Sequence, residues 1–122
     1  MNRVKTVLIV DDNAAMRSHI YSMIRVSNPY AVIVQANHGN HAWEIINAPG
    51  KKFDVVISDV DMLPDMNGVQ LTEKITEKHP DVHVILMSGH EEPENHKAHG
   101  FMKKPFQRAD LLKEVKRLMD KI

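Results

Sequence analysis

Length, composition and charge restrict the possible classes of protein. The chain of 122 residues is long enough for one hydrophobic core but not for two. Its 16 basic and 16 acidic side chains cancel, so we expect no direct binding to nucleic acid or to a membrane. The absence of cysteine excludes disulfides and thiolate chemistry and is consistent with a cytoplasmic protein.

Strand and helix patterns alternate along the chain. Short, mostly apolar runs, which contain β-branched residues in all but the last, predict five strands at residues 4–10, 31–36, 55–59, 82–87 and 101–103. Apolar residues at helical spacing predict the intervening helices, which end at Asn28-Pro29, Pro49-Gly50 and His79-Pro80, and a last helix that runs to Ile122. This alternation predicts an α/β fold: a single-domain, doubly wound, five-stranded parallel sheet with helices on both faces.

Polar side chains follow several of the predicted strands. Asp11 and Asp12 come after the first strand, Asp59 ends the third, and Ser88 and Lys104 follow the fourth and fifth. The carboxyl ends of parallel strands share one edge of the sheet, where open α/β sheets bind ligands. Any one of these acids alone would more simply be a helix cap or a turn residue. Together they predict three carboxylates, a hydroxyl and an ammonium at one edge.

This set of side chains favours phosphoryl chemistry. Three neighbouring carboxylates repel one another unless a cation joins them, and Mg²⁺ fits because it prefers carboxylate and phosphate oxygens. Lys104 supplies a positive charge and Ser88 a neutral donor, both suited to phosphoryl oxygens. Asp59 remains as a nucleophile that could accept a phosphoryl group.

The chain resembles the receiver domain of two-component response regulators, CheY-like in fold, in four motifs that occur in the family's order: VLIVDDN, FDVVISDVDM-LPDMNG, VILMSGH and FMKKPF. The resemblance covers nearly the whole chain and implies one receiver domain over residues 1–122, with the flavodoxin-like strand order 2-1-3-4-5. It implies that Asp59 takes a phosphoryl group from a sensor histidine kinase or phosphotransfer protein. The domain would then be a regulator with self-catalysed phosphorylation and dephosphorylation, acting by contact on a downstream protein.

The same resemblance implies how the metal and the phosphoryl group would be held. Asp12 and Asp59 match the carboxylate ligands of Mg²⁺, and the backbone carbonyl of Asp61 matches a third ligand. Asp11 matches the acid that holds a metal-bound water. Lys104 matches the lysine that pairs with the phosphoryl group, because the family places this lysine directly before a proline.

Four residues match positions that respond to the phosphoryl group or tune its lifetime. Ser88 matches the hydroxyl that moves toward the phosphoryl group, and Phe101 the aromatic whose rotamer follows that movement. On sequence alone Phe101 could equally be a core aromatic. Asp61 and His90 match positions that influence how readily water attacks the phosphoryl group.

Two departures from the family pattern affect the predicted structure. Leu63 is an additional residue in the loop that follows Asp59. The connection at residues 90–100 is shorter than usual and nearly devoid of apolar side chains, which predicts a shortened or missing fourth helix. We then expect thin cover over one pair of strand side chains, Val84 and Leu86 or Ile85 and Met87. The usual symmetric dimer should not form, which predicts a monomer or weak dimer.

Other interpretations remain open on sequence alone. A phosphorylation-independent scaffold would have the same fold. A haloacid-dehalogenase-type phosphatase would explain Asp59 and Asp61 after a strand, but not Asp11 and Asp12. A flavodoxin-like FMN carrier needs a phosphate-binding loop where this chain has acids. Three histidines could mimic a zinc site, but their irregular spacing favours solvent-exposed side chains: His90, His96 and His99.

Overall fold

The computed structural model describes residues 4–62 and 64–121, so Leu63 and Ile122 lie outside the described residues. Strands and helices alternate as predicted, with the bounds β1 (Thr6–Val10), α1 (Ala14–Ser27), β2 (Val32–Ala36), α2 (Gly39–Ile46), β3 (Val55–Asp59), α3 (Gly68–Lys78), β4 (His83–Ser88), β5 (Gly100–Lys103) and α4 (Arg108–Met119). The first two strands begin later than predicted, and β4 extends to Ser88, which brings this residue into the strand.

The strands form one parallel sheet in the order β2-β1-β3-β4-β5, which confirms the predicted fold class and strand order. All five residues of β3 are buried, because this strand lies at the centre of the sheet with helices over both faces. The period-two alternation of side chains then sends successive residues of β3 into two separate cores.

Each face of the sheet has its own hydrophobic core. One core lies under α1 and α4 and includes Ile20, Ile24, Val55, Ile57, Leu111 and Leu118. The other lies under α2 and α3 and includes Leu8, Ala42, Ile46, Val56, Leu71 and Ile75. Full burial of a large aliphatic side chain stabilises a fold by ~1.5–3 kcal/mol, so the two cores hold the strand ends as a rigid frame.

The connection between β4 and β5 contains no helix, although all of its residues, 89–99, are described. The sequence predicted that the helix between the fourth and fifth strands would be shortened or missing, and in the structure it is missing. The expected thin cover is wrong, however, since the four strand side chains Val84, Ile85, Leu86 and Met87 are fully buried. Ile85 and Met87 belong to the core under α1 and α4, while Ala98 of the connection packs against the core that contains Val84.

Hydrogen bonds, rather than an apolar helix face, hold the end of this connection to the sheet. The N–H of His99 donates to the Val84 carbonyl at 2.8 Å, and the Val84 N–H donates to Nδ1 of His99 at 3.0 Å. Nη2 of Arg117 donates to the His99 carbonyl at 2.9 Å. Because Nδ1 accepts a hydrogen bond, the ring of His99 is neutral with its proton on Nε2.

Candidate functional site

Three carboxylates meet at the carboxyl edge of the sheet. Asp11 follows β1, Asp12 is its neighbour, and Asp59 is the last residue of β3; one oxygen from each lies within 4.8 Å of the others. Within the part of the chain that the structure describes, no other group of three or more His, Cys, Asp or Glu residues lies as close together. Asp11 and Asp59 are buried, with 1% and 7% exposure, while Asp12 is exposed to solvent.

Lys104 joins this cluster from the end of β5. Its Nζ lies 3.1 Å from Oδ2 of Asp11 and 3.2 Å from Oδ1 of Asp59. The backbone N–H of Lys104 donates to the Ser88 carbonyl at 2.7 Å, which fixes the start of the side chain beside β4. The peptide bond between Lys104 and Pro105 is cis. The structure thus brings together the lysine and the three acids predicted from the strand ends.

The electrostatics of the cluster favour an added cation. Burial, and then the charge of Asp11, raise the pKa of Asp59 from 3.8 to about 6, although the neighbouring Lys104 opposes this shift. Burial alone would lower the pKa of Lys104, but its hydrogen bonds and ion pairs with Asp11 and Asp59 raise it. Three carboxylates and one ammonium leave a net charge of −2 when all are ionised. A hard divalent cation with oxygen ligands fits this charge and donor set.

The residues after β1 fix the position of Asp11. Its Oδ1 accepts a hydrogen bond from the Asn13 N–H at 2.9 Å, and its carbonyl accepts one from Nη1 of Arg17 at 2.7 Å. Asn13 is the N-cap of α1, and its Oδ1 accepts from the Met16 N–H at 2.9 Å. The buried carboxylate is therefore held by the start of the helix that follows it.

Gly68 allows the loop after β3 to return close to Asp59. A Cβ atom at this position would lie 2.2 Å from the backbone oxygen of Asp59, closer than real Cβ contacts allow. The Gly68 N–H donates to the Val60 carbonyl at 2.9 Å, which closes the loop. Asn67 and Gln70 form a capping box at the start of α3. Gly68 is thus a point of close backbone approach to the site.

Ser88 lies at the same edge of the sheet, but its hydroxyl forms hydrogen bonds with residues outside the cluster of Asp11, Asp12 and Asp59. Its side chain is buried, with the residue 1% exposed. Its Oγ donates to Oδ2 of Asp61 at 3.3 Å and accepts from the His90 N–H at 3.0 Å. The contact between Ser88 and Asp61 was missed by sequence reasoning, which placed both residues near the site without pairing them.

The remaining predicted residues lie around the cluster. Phe101 is half-buried and lines a surface groove with Pro105 and Phe106, between β5 and α4. The three histidines are not gathered into a metal site within the described residues. Their expected exposure is wrong for His96, whose side chain is only 12% exposed and lies 2.6 Å from Oε2 of Glu92.

Comparison with known proteins decides the family. The model of the response regulator receiver domain family matches residues 7–116. The chain belongs to this family. The resemblance in the four sequence motifs is thereby confirmed, and receiver domains act in two-component signalling as regulators that interact with histidine kinases or phosphotransfer proteins.

Individual relatives agree with the family match. The receiver domain is 35% identical over 123 residues to the sensor kinase CckA of Brucella abortus, covering 95% of this chain but only 13% of that protein. It is 26% identical to a CheY-like receiver domain protein from Methanospirillum hungatei, with a TM-score of 0.85 and coverage of 98% and 96% of the two chains. The response regulator TrrA of Thermotoga maritima, solved in complex with Mg²⁺ and BeF, shares the fold at 24% identity, with a TM-score of 0.79 and coverage of 94% and 99%.

In the described part of the receiver domain, no helix is both long enough and apolar enough to span a membrane.

Proposed function

We propose that this receiver domain, over residues 1–122, accepts a phosphoryl group on Asp59 from a phosphohistidine donor and relays its state by contact with a downstream protein. The observation that carries the proposal is the position of Asp59: a buried carboxylate at the end of the central strand, beside two acids and 3.2 Å from Nζ of Lys104. The donor would be a sensor histidine kinase or a phosphotransfer protein.

The acidic cluster fits a magnesium ion. Its carboxylate oxygens lie close enough to share one cation, and burial together with the charge of Asp11 raises the pKa of Asp59 to about 6. Asp12 and Asp59 would bind the ion with the backbone carbonyl of Asp61, and Asp11 would hold a metal-bound water. When bound, Mg²⁺ would neutralise the negative charge of the cluster and of an incoming phosphoryl group. The solved structure of TrrA contains Mg²⁺ and BeF, in keeping with this assignment.

The transfer itself requires little covalent chemistry from the domain. An oxygen of Asp59 attacks phosphorus, the P–N bond of the donor breaks, and the departing imidazole keeps the electron pair and takes a proton from solvent. With a pKa of about 6, the metal-free Asp59 is mostly ionised at neutral pH and needs no base. The ammonium of Lys104 would exchange its contact with Asp59 for a phosphoryl oxygen, and Ser88 would donate its hydroxyl to another. Hydrolysis of the acyl phosphate would return the resting state without a separate phosphatase.

Labelling with acetyl phosphate and Mg²⁺, followed by intact-mass spectrometry, tests the assignment. We expect the wild type to gain one phosphoryl group, Asp59→Asn to gain none, and Asp61→Asn to be labelled. Asp61→Asn is the matched control because it changes an acid of the same loop. Labelling of Asp59→Asn but not of Asp61→Asn would show that the acceptor is wrong.

The labelling experiment and two further assays separate the alternatives. A wild type that is folded but never labelled, under conditions in which a known receiver is labelled, would favour the phosphorylation-independent scaffold. Turnover of small phosphoesters would favour a phosphatase. Light scattering before and after treatment with beryllofluoride would test the predicted monomer or weak dimer.

A further inference from the structure

The hydroxyl of Ser88 donates its hydrogen bond to Asp61 in the structure. The His90 N–H can only donate and the Asp61 carboxylate can only accept, so their contacts with Oγ fix the direction of both hydrogen bonds. Oγ accepts from His90 and sends its single proton to Oδ2 of Asp61. While this bond is present, the hydroxyl has no proton to donate to an oxygen bound at Asp59.

The bond is of a kind that can be broken. At 3.3 Å it is long for an O–H···O hydrogen bond, and the Asp61 side chain is 64% exposed, so water competes for the carboxylate. Ser88, in contrast, is buried, and its hydroxyl has few alternative partners. The contact therefore orients the buried hydroxyl without fixing it permanently.

Asp61 also acts on the site through its charge. Among the causes that raise the pKa of Asp59, burial and Asp11 are larger, and the charge of Asp61 adds to them. An anionic phosphoryl group in the place of that carboxylate would experience the same repulsion. Asp61 would thus oppose a phosphorylated state in two ways, by holding the hydroxyl and by its negative charge.

We propose that Asp61 is a positioning residue that holds the Ser88 hydroxyl in the unphosphorylated state and must release it before the hydroxyl can bind the phosphoryl group. The proposal rests on the function proposed above and adds the competing partner to it. The carboxylate of Asp61 and the phosphoryl oxygens would compete for one proton. The free energy of the Ser88–Asp61 hydrogen bond would then make the phosphorylated state less favourable.

A double-mutant cycle tests this competition. The four proteins are the wild type, Asp61→Ala, Ser88→Ala and the double variant; the ligand is beryllofluoride with Mg²⁺, followed by calorimetry. Asp61→Ala keeps the backbone carbonyl assigned to the metal, and its side chain is exposed, so the fold should persist. Since a hydrogen bond contributes about 1 kcal/mol, we expect Asp61→Ala to tighten binding by about three- to tenfold in the presence of Ser88. The gain should be clearly smaller in the Ser88→Ala protein.

Two outcomes of the cycle would overturn the proposal. Equal gains with and without the Ser88 hydroxyl would show that Asp61 acts by charge alone. Weaker binding by Asp61→Ala would show that Asp61 assists activation instead of opposing it.

The rotamer of Ser88 in the free protein provides a readout that does not depend on phosphorylation. NMR scalar couplings should show one χ1 rotamer in the wild type and rotamer averaging in Asp61→Ala. Asp61→Asn, which keeps an oxygen acceptor without the charge, should restore the single rotamer. An unchanged rotamer in Asp61→Ala would overturn the proposal. Absence of acetyl phosphate labelling in the wild type, with the rotamer change present, would instead refute the proposed function and with it the switching role.

Discussion

Replacing the buried acid Asp59 by asparagine should stabilise the metal-free receiver domain. Asparagine has the shape of a protonated aspartate, so Asp59→Asn removes the charge and preserves most of the packing. Because the environment raises the pKa of Asp59 from 3.8 to about 6, the folded state disfavours the ionised carboxylate relative to the unfolded chain. The contact with Lys104 is already included in this balance, and the amide oxygen of asparagine can still accept from Nζ.

The size of the effect follows from the pKa difference. About two pKa units correspond to about 3 kcal/mol of unfolding free energy at pH 7. With an unfolding entropy of about 2.1 cal/mol/K per residue, this difference raises Tm by about 10 °C for a domain of this length. Below pH 3.8 the wild-type Asp59 is protonated in both states and the difference vanishes; it develops as the pH rises toward 6. At pH 5 we expect about half of the full effect.

The assay is thermal unfolding in EDTA at several pH values, followed by circular dichroism. Asp81→Asn is a matched control, because Asp81 is an exposed acid at the opposite edge of the sheet and should change Tm little. Added Mg²⁺ should reduce the difference in Tm between Asp59→Asn and the wild type, since it binds the wild-type cluster more tightly than the cluster of the variant. A lower Tm for Asp59→Asn at pH 7, or a gap that does not depend on pH, would refute the electrostatic reasoning.

Three further substitutions test other parts of the structure. Asp12→Ala should raise the metal-free Tm by relieving repulsion and should remove most of the stabilisation by Mg²⁺; full retention of that stabilisation would contradict the metal assignment. Burial, then the charges of His83 and neighbouring cations, lower the pKa of His99, so its contribution to stability is full above pH 6.5 and is lost as the pH falls below that value. In His99→Asn the amide oxygen can accept the same backbone hydrogen bond without titrating. This variant should therefore lose less unfolding free energy than the wild type when the pH falls from 7.5 to 5.5. An identical loss in the two proteins would argue against the role of the His99 ring. Gly68→Ala should lower the free energy of unfolding in urea by ~1–3 kcal/mol, because the added Cβ would collide with the Asp59 carbonyl. Gly89→Ala is the matched control, since a Cβ at that position has no atom within 4 Å. Equal effects of the two substitutions would reject the close-approach argument.

The placement of the candidate site could be predicted from local patterns. The two neighbouring strands β1 and β3 are short apolar runs, and Asp11 and Asp59 stand where those runs end. Parallel strands with crossover helices have their carboxyl ends at one edge, so the convergence of the acids with Lys104 follows from topology. The short connection after β4 likewise predicted a shortened or missing helix, because so few apolar residues cannot give a helix a buried face.

Contacts made by loops could not be predicted in the same way. Loops have no hydrophobic period, so nothing in the sequence gives the path that packs Ala98 against the core that contains Val84. For the same reason the expected exposed strand face was wrong. The bond between Ser88 and Asp61 joins residues 27 positions apart in sequence, and it depends on a loop conformation and two rotamers that no spacing rule determines.

By itself, the sequence determined which residues form strands and helices, and which acids and lysine reach the shared edge, because these follow from periodicity and from the geometry of parallel connections. The tertiary structure alone decided the burial of Asp59, the partner of the Ser88 hydroxyl and the hydrogen bond accepted by the His99 ring. Each of these depends on the local dielectric environment and on distances of about 3 Å between residues from different elements, which are set only when the sheet, helices and loops pack together.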